Sequence, residues 1–385
     1  MSGNDPTGLS HQKLCAVEPA LSSFAPLRDF KSVADKTLFH AGPPLIDPTS
    51  PPAPLLNGIL AAIVLERWAS SREEAEALFA SGEVKLSPAQ DAGIVTPLAF
   101  VVGSSTVCLK VSDLNQTDRF VLSPLNDGPP PHAIRFGTYH DAGLTIVQSL
   151  IDGVGNDLAN ALKAPIPLLP QMAAALADGD ELHGRVASMQ QQIRAILDTQ
   201  LSPRATKYLD GAGQFALNAI MAAAALMIEA GAGIPGSRML VACGGNGESL
   251  GFKVADAPDK WLTKPATRPI GGRLPGLEQT DALPAIGDSA VIDAFGFGAA
   301  CLRFSPEIAG SLQDQFDRQL ISSAFLDDRA HNAFIGPHPR LGNDSIRVGL
   351  DLSQPRECLG INLGIVEETG KHGLIGRGVA PWPQG

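Results

Sequence analysis

Eight consecutive residues, Asp178-Gly179-Asp180-Glu181-Leu182-His183-Gly184-Arg185, bring three acids, a histidine and an arginine together. An imidazole titrates near neutral pH and can move a proton, carboxylates can orient it, and a guanidinium can hold an anion. Downstream, Leu182, Val186, Met189, Ile193 and Ile196 recur at spacings of four and three, which predicts one face of a helix. Asp180 is placed to cap that helix, and Glu181 and Arg185 stand four apart in the favourable acid-first order. His183 falls on the flank of the apolar stripe. Two readings stay open: a capped surface helix with an ion pair, or a polar cluster delivered to a cleft by a helix start.

Other stretches carry weaker chemistry. Gly244-Gly245-Asn246-Gly247 follows an expected strand, so its amides could approach an anion, though a hairpin turn fits equally well. It has neither the lysine of a P-loop nor the glycine spacing of a dinucleotide site. In Gly287-Asp288-Ser289, Asp288 is expected to cap a helix or to orient a substrate amide. The tail from Gly370 to Gly378 combines Lys371, His372 and Arg377 with permissive backbone, which suits a carboxylate or phosphate and also suits a loose terminal loop. His40, His132, His140, His331 and His338 are scattered, and no metal site is expected. Five separated cysteines, including Cys358, form no Cys-x-x-Cys pair and suit a reducing cytoplasm. No Gly-x-Ser-x-Gly elbow is present.

The elements that must position these groups divide the chain into three. Residues 1–148 read as a mixed α+β domain, with 1–35 as a loosely ordered arm. It has apolar helices at 58–68 and 71–82, strand-like runs between 95 and 111, and a further strand at 119–122. Residues 149–207 read as a small helical domain. Residues 208–385 read as a second α+β domain, opening with a buried alanine-rich helix at 214–230 that also suits a dimer interface. The expected class is thus multidomain α+β, with two mixed domains flanking an all-helical one.

Composition narrows the function. Of 385 residues, 44% are hydrophobic and 18% charged, which fits a large-cored, enzyme-like body. A net charge of −11 argues against binding nucleic acid or an anionic membrane surface. The most apolar segment, 215–228, is too short to span a bilayer and contains Asn218. The first residues show no signal-peptide pattern.

Taken together and in order, the motifs resemble the AllG-like subunit family of oxamate carbamoyltransferase, from about Leu38 to Pro381. The resemblance rests on His40-Ala41-Gly42-Pro43-Pro44, Asn126-Asp127-Gly128, Arg135-Phe136-Gly137, Gly179-Asp180-Glu181-x-His183-x-Arg185, Asn246-Gly247, Trp261, Ile286-Gly287-Asp288-Ser289 and Asn362-x-Gly364-Ile365. The chain departs from the family pattern in two places. Pro88 to Gly93 stands where the family has a Cys-His-x-His segment, and Gly184 and Val186 replace two asparagines.

The resemblance implies purine-derived nitrogen catabolism, in which oxalurate is split by phosphate to oxamate and carbamoyl phosphate. It implies unlike partner subunits and no cofactor. On that reading His183 is the acid–base group, oriented by Asp180 or Glu181. Arg185 and the Gly244, Gly245 and Gly247 amides contact anions, Asn246 and Asp288 hold the carbamoyl amide, and His40, Asn126, Arg135 and Asn362 complete the substrate contacts. The alternatives are a non-catalytic assembly or ligand-binding subunit and an independent amidohydrolase-like enzyme. A cytoplasmic homo-oligomer acting on a small ureido acid is the expectation.

Overall fold

The computed structural model describes residues 5–326, 330–342, 346–354 and 359–383; Cys358 lies outside them. The fold is mixed α+β, as the alternation of strand-like and helical runs implied. Its strands are β1 (Pro19–Pro26), β2 (Thr37–His40), β3 (Lys85–Pro88), β4 (Val107–Asp113), β5 (Gln116–Pro124), β6 (Ile166–Pro167), β7 (Leu240–Asn246), β8 (Ser249–Val254), β9 (Ala257–Pro265), β10 (Ile270–Arg273), β11 (Ile286–Gly287), β12 (Phe334–Pro337), β13 (Arg347–Leu350), β14 (Gly360–Val366) and β15 (Leu374–Pro381). They form sheets in the orders β5-β4-β1-β6, β11-β7-β8-β9 and β10-β15-β14. Two-stranded pairs β2-β3 and β12-β13 complete the set. Among the strand pairs of the described residues only β2-β3 is parallel, and it carries His40 at its end.

The helices that matter for the site are α1 (Pro6–Cys15), α2 (Ala53–Leu65), α3 (Leu169–Ala177), α4 (Ala187–Leu197), α5 (Phe215–Glu229) and α6 (Ala290–Phe295). No single helix among the described residues is long and apolar enough to cross a membrane. Helix α5 is apolar on every side, and it packs on β4, β5 and β7 and against α6. Its alanines are fully buried within the chain, so this helix has no face left for a dimer partner.

The arm expected at 1–35 is instead structural. Asp5 caps α1 through the Thr7 amide (3.1 Å), and β1 pairs with both β4 and β6 inside its sheet. The proline and serine content masked a strand that buries Ala20, Leu21 and Phe24 across a register shift between Leu21 and Ser23. The run at 95–102 is irregular backbone; its apolar residues are buried, but only Val102 forms a bridge, to Phe39. One continuous apolar core contains Leu14 and Phe24, Met172, Met189 and Ile193, and Ala222, Phe295 and Trp382, so it runs through all three sequence segments.

Candidate active site

The polar octapeptide does not begin a helix. Helix α4 starts only at Ala187, and residues 180–186 form a compact loop in which Leu182 is buried with φ of +66°. That left-handed backbone is costly for a branched side chain. It is held by the core contact of Leu182 and by the Leu182 amide donating to the Arg185 carbonyl (3.2 Å). Asp180 still caps α4, but from a distance along the chain: its Oδ2 accepts the Met189 amide at 3.0 Å. Glu181 and Arg185 do not form the expected ion pair. The Glu181 carboxylate accepts the backbone amides of Arg185 (2.6 Å) and His183 (2.7 Å) and the side-chain amide of Asn362 (3.3 Å). The Arg185 guanidinium turns to Asp180 and Glu307.

This loop presents His183 to a narrow cleft of about 640 Å³ with its open mouth. The His183 Nδ1 lies 2.8 Å from Oδ2 of Asp293, and both side chains are almost fully buried. Asp293 sits on α6, and its Oδ1 accepts the amides of Ala299 (2.8 Å) and Asn362 (3.0 Å), which fixes the carboxylate in place. Burial disfavours the imidazolium, but the charge and hydrogen bond of Asp293, together with Glu181, outweigh it and raise the His183 pKa above its usual value. Burial pushes the Glu181 carboxyl up to about 7, against the pull of His183 and the two amides. Nε2 of His183 has no protein partner among the described residues, and the ring lines the cleft.

The opposite wall comes from the loop after β5. The Asn126 side chain accepts the Gly128 amide (2.9 Å), closing a local turn. Arg135 is buried; its guanidinium pairs with Asp127 and donates to the Gly128 carbonyl (2.7 Å). Tyr208 pins the loop by donating to the Asn126 carbonyl (2.8 Å), and Asn218 on α5 donates to the Pro124 carbonyl (2.8 Å). Asn126, Arg135, His183 and Asn362, predicted separately from 236 residues of sequence span (126 to 362), therefore line one cleft, joined by Gln214, Asn218, Ser289 and Arg377. A larger, mainly apolar cleft between 128–154 and 203–211 gathers none of the predicted side chains.

Other predicted residues have structural duties elsewhere. Arg185 does not line the cleft. Gly244, Gly245 and Asn246 end β7, with Gly244 and Gly245 paired to β8 and Gly245 and Asn246 paired to β11; the Gly247 amide donates to the Ala285 carbonyl (3.1 Å), so this stretch is no anion loop. Glycine is needed there because a Cβ at Gly245 would meet the Ala285 carbonyl oxygen at 2.3 Å. Asn246 accepts the amides of Glu248 and Ser249 (3.0 and 2.8 Å) and donates to the Pro43 carbonyl (3.1 Å). His40 is buried with Nδ1 2.8 Å from the Ala41 carbonyl. Asp288 caps no helix: its carboxylate receives the amides of Gly42 (2.8 Å) and Thr96 (3.0 Å) and the Gln90 side chain (2.6 Å), and burial pushes its pKa up to about 7.

Of the groups brought together here, Asp293 was missed by spacing alone, whereas Arg377 lies in the cationic tail read as suited to a carboxylate or phosphate. The signal for Asp293 was a single acid inside the apolar run Val291-Ile292-Asp293-Ala294-Phe295, and the signal for Asn218 was an amide inside the most apolar helix.

A mixed α+β body with a buried histidine–carboxylate pair beside an amide-lined cleft defines the structural class. Within it, this chain belongs to the family described as oxamate carbamoyltransferase subunit AllG, whose model matches residues 84–289. It is 28% identical to the oxamate carbamoyltransferase subunit AllG of Escherichia coli, over 94% of this chain and 86% of that protein. It is 26% identical to the uncharacterised protein YahG of the same organism, over 90% of this chain and 76% of that one. A crystal structure of a conserved protein of unknown function from Enterococcus faecalis superposes with a TM-score of 0.85 at 21% identity, covering 98% of this chain and 94% of that chain, and shows the same fold.

Proposed function

We propose that this chain is a carbamoyltransferase subunit whose cleft handles a small ureido acid, converting oxalurate and phosphate to oxamate and carbamoyl phosphate or running a closely related reaction. The observation that supports the reading is the His183–Asp293 pair facing a cleft that also holds Asn126, Asn218, Asn362, Gln214 and Arg377. Side-chain amides match the donors and acceptors of a ureido group, and Arg377 suits the substrate carboxylate. In the reaction a phosphate oxygen attacks the carbamoyl carbon, the bond from that carbon to the oxamate nitrogen breaks, and that nitrogen must gain a proton. His183, whose protonated form Asp293 stabilises, supplies it from Nε2.

Arg135 is neutralised by Asp127, so Arg377 is the one lining cation without a carboxylate partner among the described residues. Two anionic reactants call for more positive charge than that, which supports a complex with unlike subunits that complete the site. The relative's description as a subunit agrees with this.

The test is a thermal-shift series with oxalurate, oxamate, phosphate and carbamoyl phosphate, alone and with co-purified partner subunits. A ligand that binds only the folded chain stabilises it by about 2.7 kcal/mol at a hundredfold excess over its dissociation constant. A shift with oxalurate, lost in Arg377→Ala, is the expected result. No shift under either condition, or full turnover in His183→Ala, would sink the assignment; turnover retained with binding intact would leave the cleft as a ligand-binding site serving a partner's chemistry.

A further inference from the structure

The glycine-rich tail serves two places. Arg377 enters the cleft described above, whereas Lys371 and His372 line a second cleft, of about 1180 Å³ with its open mouth, between α2, the loop 131–140 and the turn 369–372. Arg72, His132, His140, Lys371 and His372 line it, and no acidic side chain does. In a chain of net charge −11 this is a marked concentration of basic groups. The acids nearby lie outside the lining: Glu76, paired with Arg72 at 2.8 Å, Glu73 and Asp141, which act on the Tyr139 hydroxyl, and Glu367, whose carboxylate is taken up by the amides of the turn.

The site is built rather than loose. Asn57, 7% exposed, donates to the Gly137 carbonyl (2.8 Å) and the Gly370 carbonyl (3.1 Å), while its oxygen accepts from Arg72 (3.0 Å). Glu367 closes the turn by accepting the amides of Thr369 (2.6 Å), Lys371 (2.8 Å) and His372 (3.2 Å). That ties down the turn's backbone and leaves the Lys371 and His372 side chains directed outward without partners among the described residues. The His132 and His140 rings lie with centroids 3.9 Å apart and planes tilted by 31°. Nδ1 of His140 accepts the Ala142 amide (3.2 Å), so its Nε2 carries the hydrogen and is a donor.

We infer that this second cleft is a binding site for a phosphate-bearing small anion. A phosphate group offers several strong acceptor oxygens and one to two negative charges, and Lys371, His372, Arg72 and His140 supply the complementary donors. Among the described residues no three histidines, cysteines or acids are placed to hold a metal ion, so the clustered imidazoles are better read as donors to an anion. The His132 and His140 rings, tilted by 31° to each other, add an aromatic wall against which an attached heterocyclic base could lie, while Arg72 covers one face of the nearby Tyr139 ring at 4.9 Å. Segments 135–140 and 370–377 contribute to both clefts, so the occupant of one lies against chain that also lines the other.

Isothermal titration of the full chain with inorganic phosphate, pyrophosphate and ADP at fixed ionic strength tests the site. The expected result is saturable binding of pyrophosphate, weakened at least tenfold in Lys371→Ala/His372→Ala and unchanged in Arg377→Ala. Both substituted side chains are exposed, so the double variant keeps its fold. Tighter binding of ADP than of pyrophosphate would assign the aromatic wall to a base, and equal binding would assign the site to the phosphate alone. Absence of saturable binding by all three probes, or binding lost in Arg377→Ala and retained in the double variant, would overturn the inference.

Discussion

Nδ1 of His183 and Oδ2 of Asp293 lie 2.8 Å apart although 110 residues separate them in sequence. The contact joins a loop to a buried helix, and Asp293 is itself oriented by two backbone amides, so it sets both the tautomer and the direction of the ring. Asp293→Asn keeps the shape and removes the charge. The His183 pKa is then expected to fall, read by the NMR titration of its ring carbon-bound protons. With partner subunits present, turnover is expected to fall by about 10²-fold or more, with the alkaline limb of its pH profile moved to lower pH. An unchanged His183 titration would refute the coupling.

Asp288 and Glu181 predict how stability depends on pH. Each is a buried acid whose pKa is pushed up to about 7. Between the ordinary carboxylate range and that value the folded chain holds protons that the unfolded chain has released. Stability therefore falls as pH rises toward 7 and then levels. His183 adds to the trend, because its raised pKa gives stability that is full below the unfolded value of 6.5 and lost as pH rises through the folded one. Urea unfolding is expected to show a more stable chain at pH 5 than at pH 8, with a shallower slope in Asp288→Asn. A midpoint that climbs over the same range would contradict it.

The two arginines of the candidate site should separate cleanly. Arg135 neutralises Asp127, whose side chain is 1% exposed, and removing one partner of a buried pair typically costs about 3–5 kcal/mol. Arg377 is exposed and makes one long contact, to the Gly184 carbonyl at 3.4 Å. Arg135→Ala should lower the unfolding midpoint severely, whereas Arg377→Ala should change stability by less than about 0.5 kcal/mol and remove the ligand-induced thermal shift. Equal destabilisation by both would show that Arg377 is structural.

What the sequence disclosed followed from how local each feature is. The α+β class, helix α5 and the pair β4-β5 rest on periodicities within one segment, and they were legible. The motifs at Asn126, Arg135, His183 and Asn362 were recognisable singly, but their meeting in one cleft depends on how β5, the 180–186 loop, α6 and β14 pack. Asp293 stood out only as a single acid inside an apolar run, because its partner His183 lies 110 residues away. The helix expected from Leu182 failed because the burial of Leu182 and Val186 comes from a loop folding onto the core, which mimics helical spacing. Arg185 looked like a cleft cation because its pairing with Glu307, 122 residues away, could not be seen. Gly244 and Gly245 looked like a loop because glycine marks turns, yet here it permits β7 to lie against Asp288 and Ala285.

Glu367 offers a test of how the second cleft is shaped. Burial alone would raise its pKa, but the amides of Thr369, Lys371 and His372, with the Thr369 hydroxyl, hold it below the usual range. The stability it contributes is thus present above the unfolded carboxylate value and lost as pH falls through the folded one. In Glu367→Gln a single oxygen replaces two. Oε1 now serves Thr369 and Oε2 serves Lys371 and His372, so at least one amide must face an NH₂ group. The expected cost is about 1–3 kcal/mol. Hydrogen exchange at the Thr369, Lys371 and His372 amides should accelerate, and pyrophosphate should bind more weakly although every lining side chain is retained. Amides that stay protected in Glu367→Gln would mean that the surrounding backbone, not the carboxylate, holds the turn.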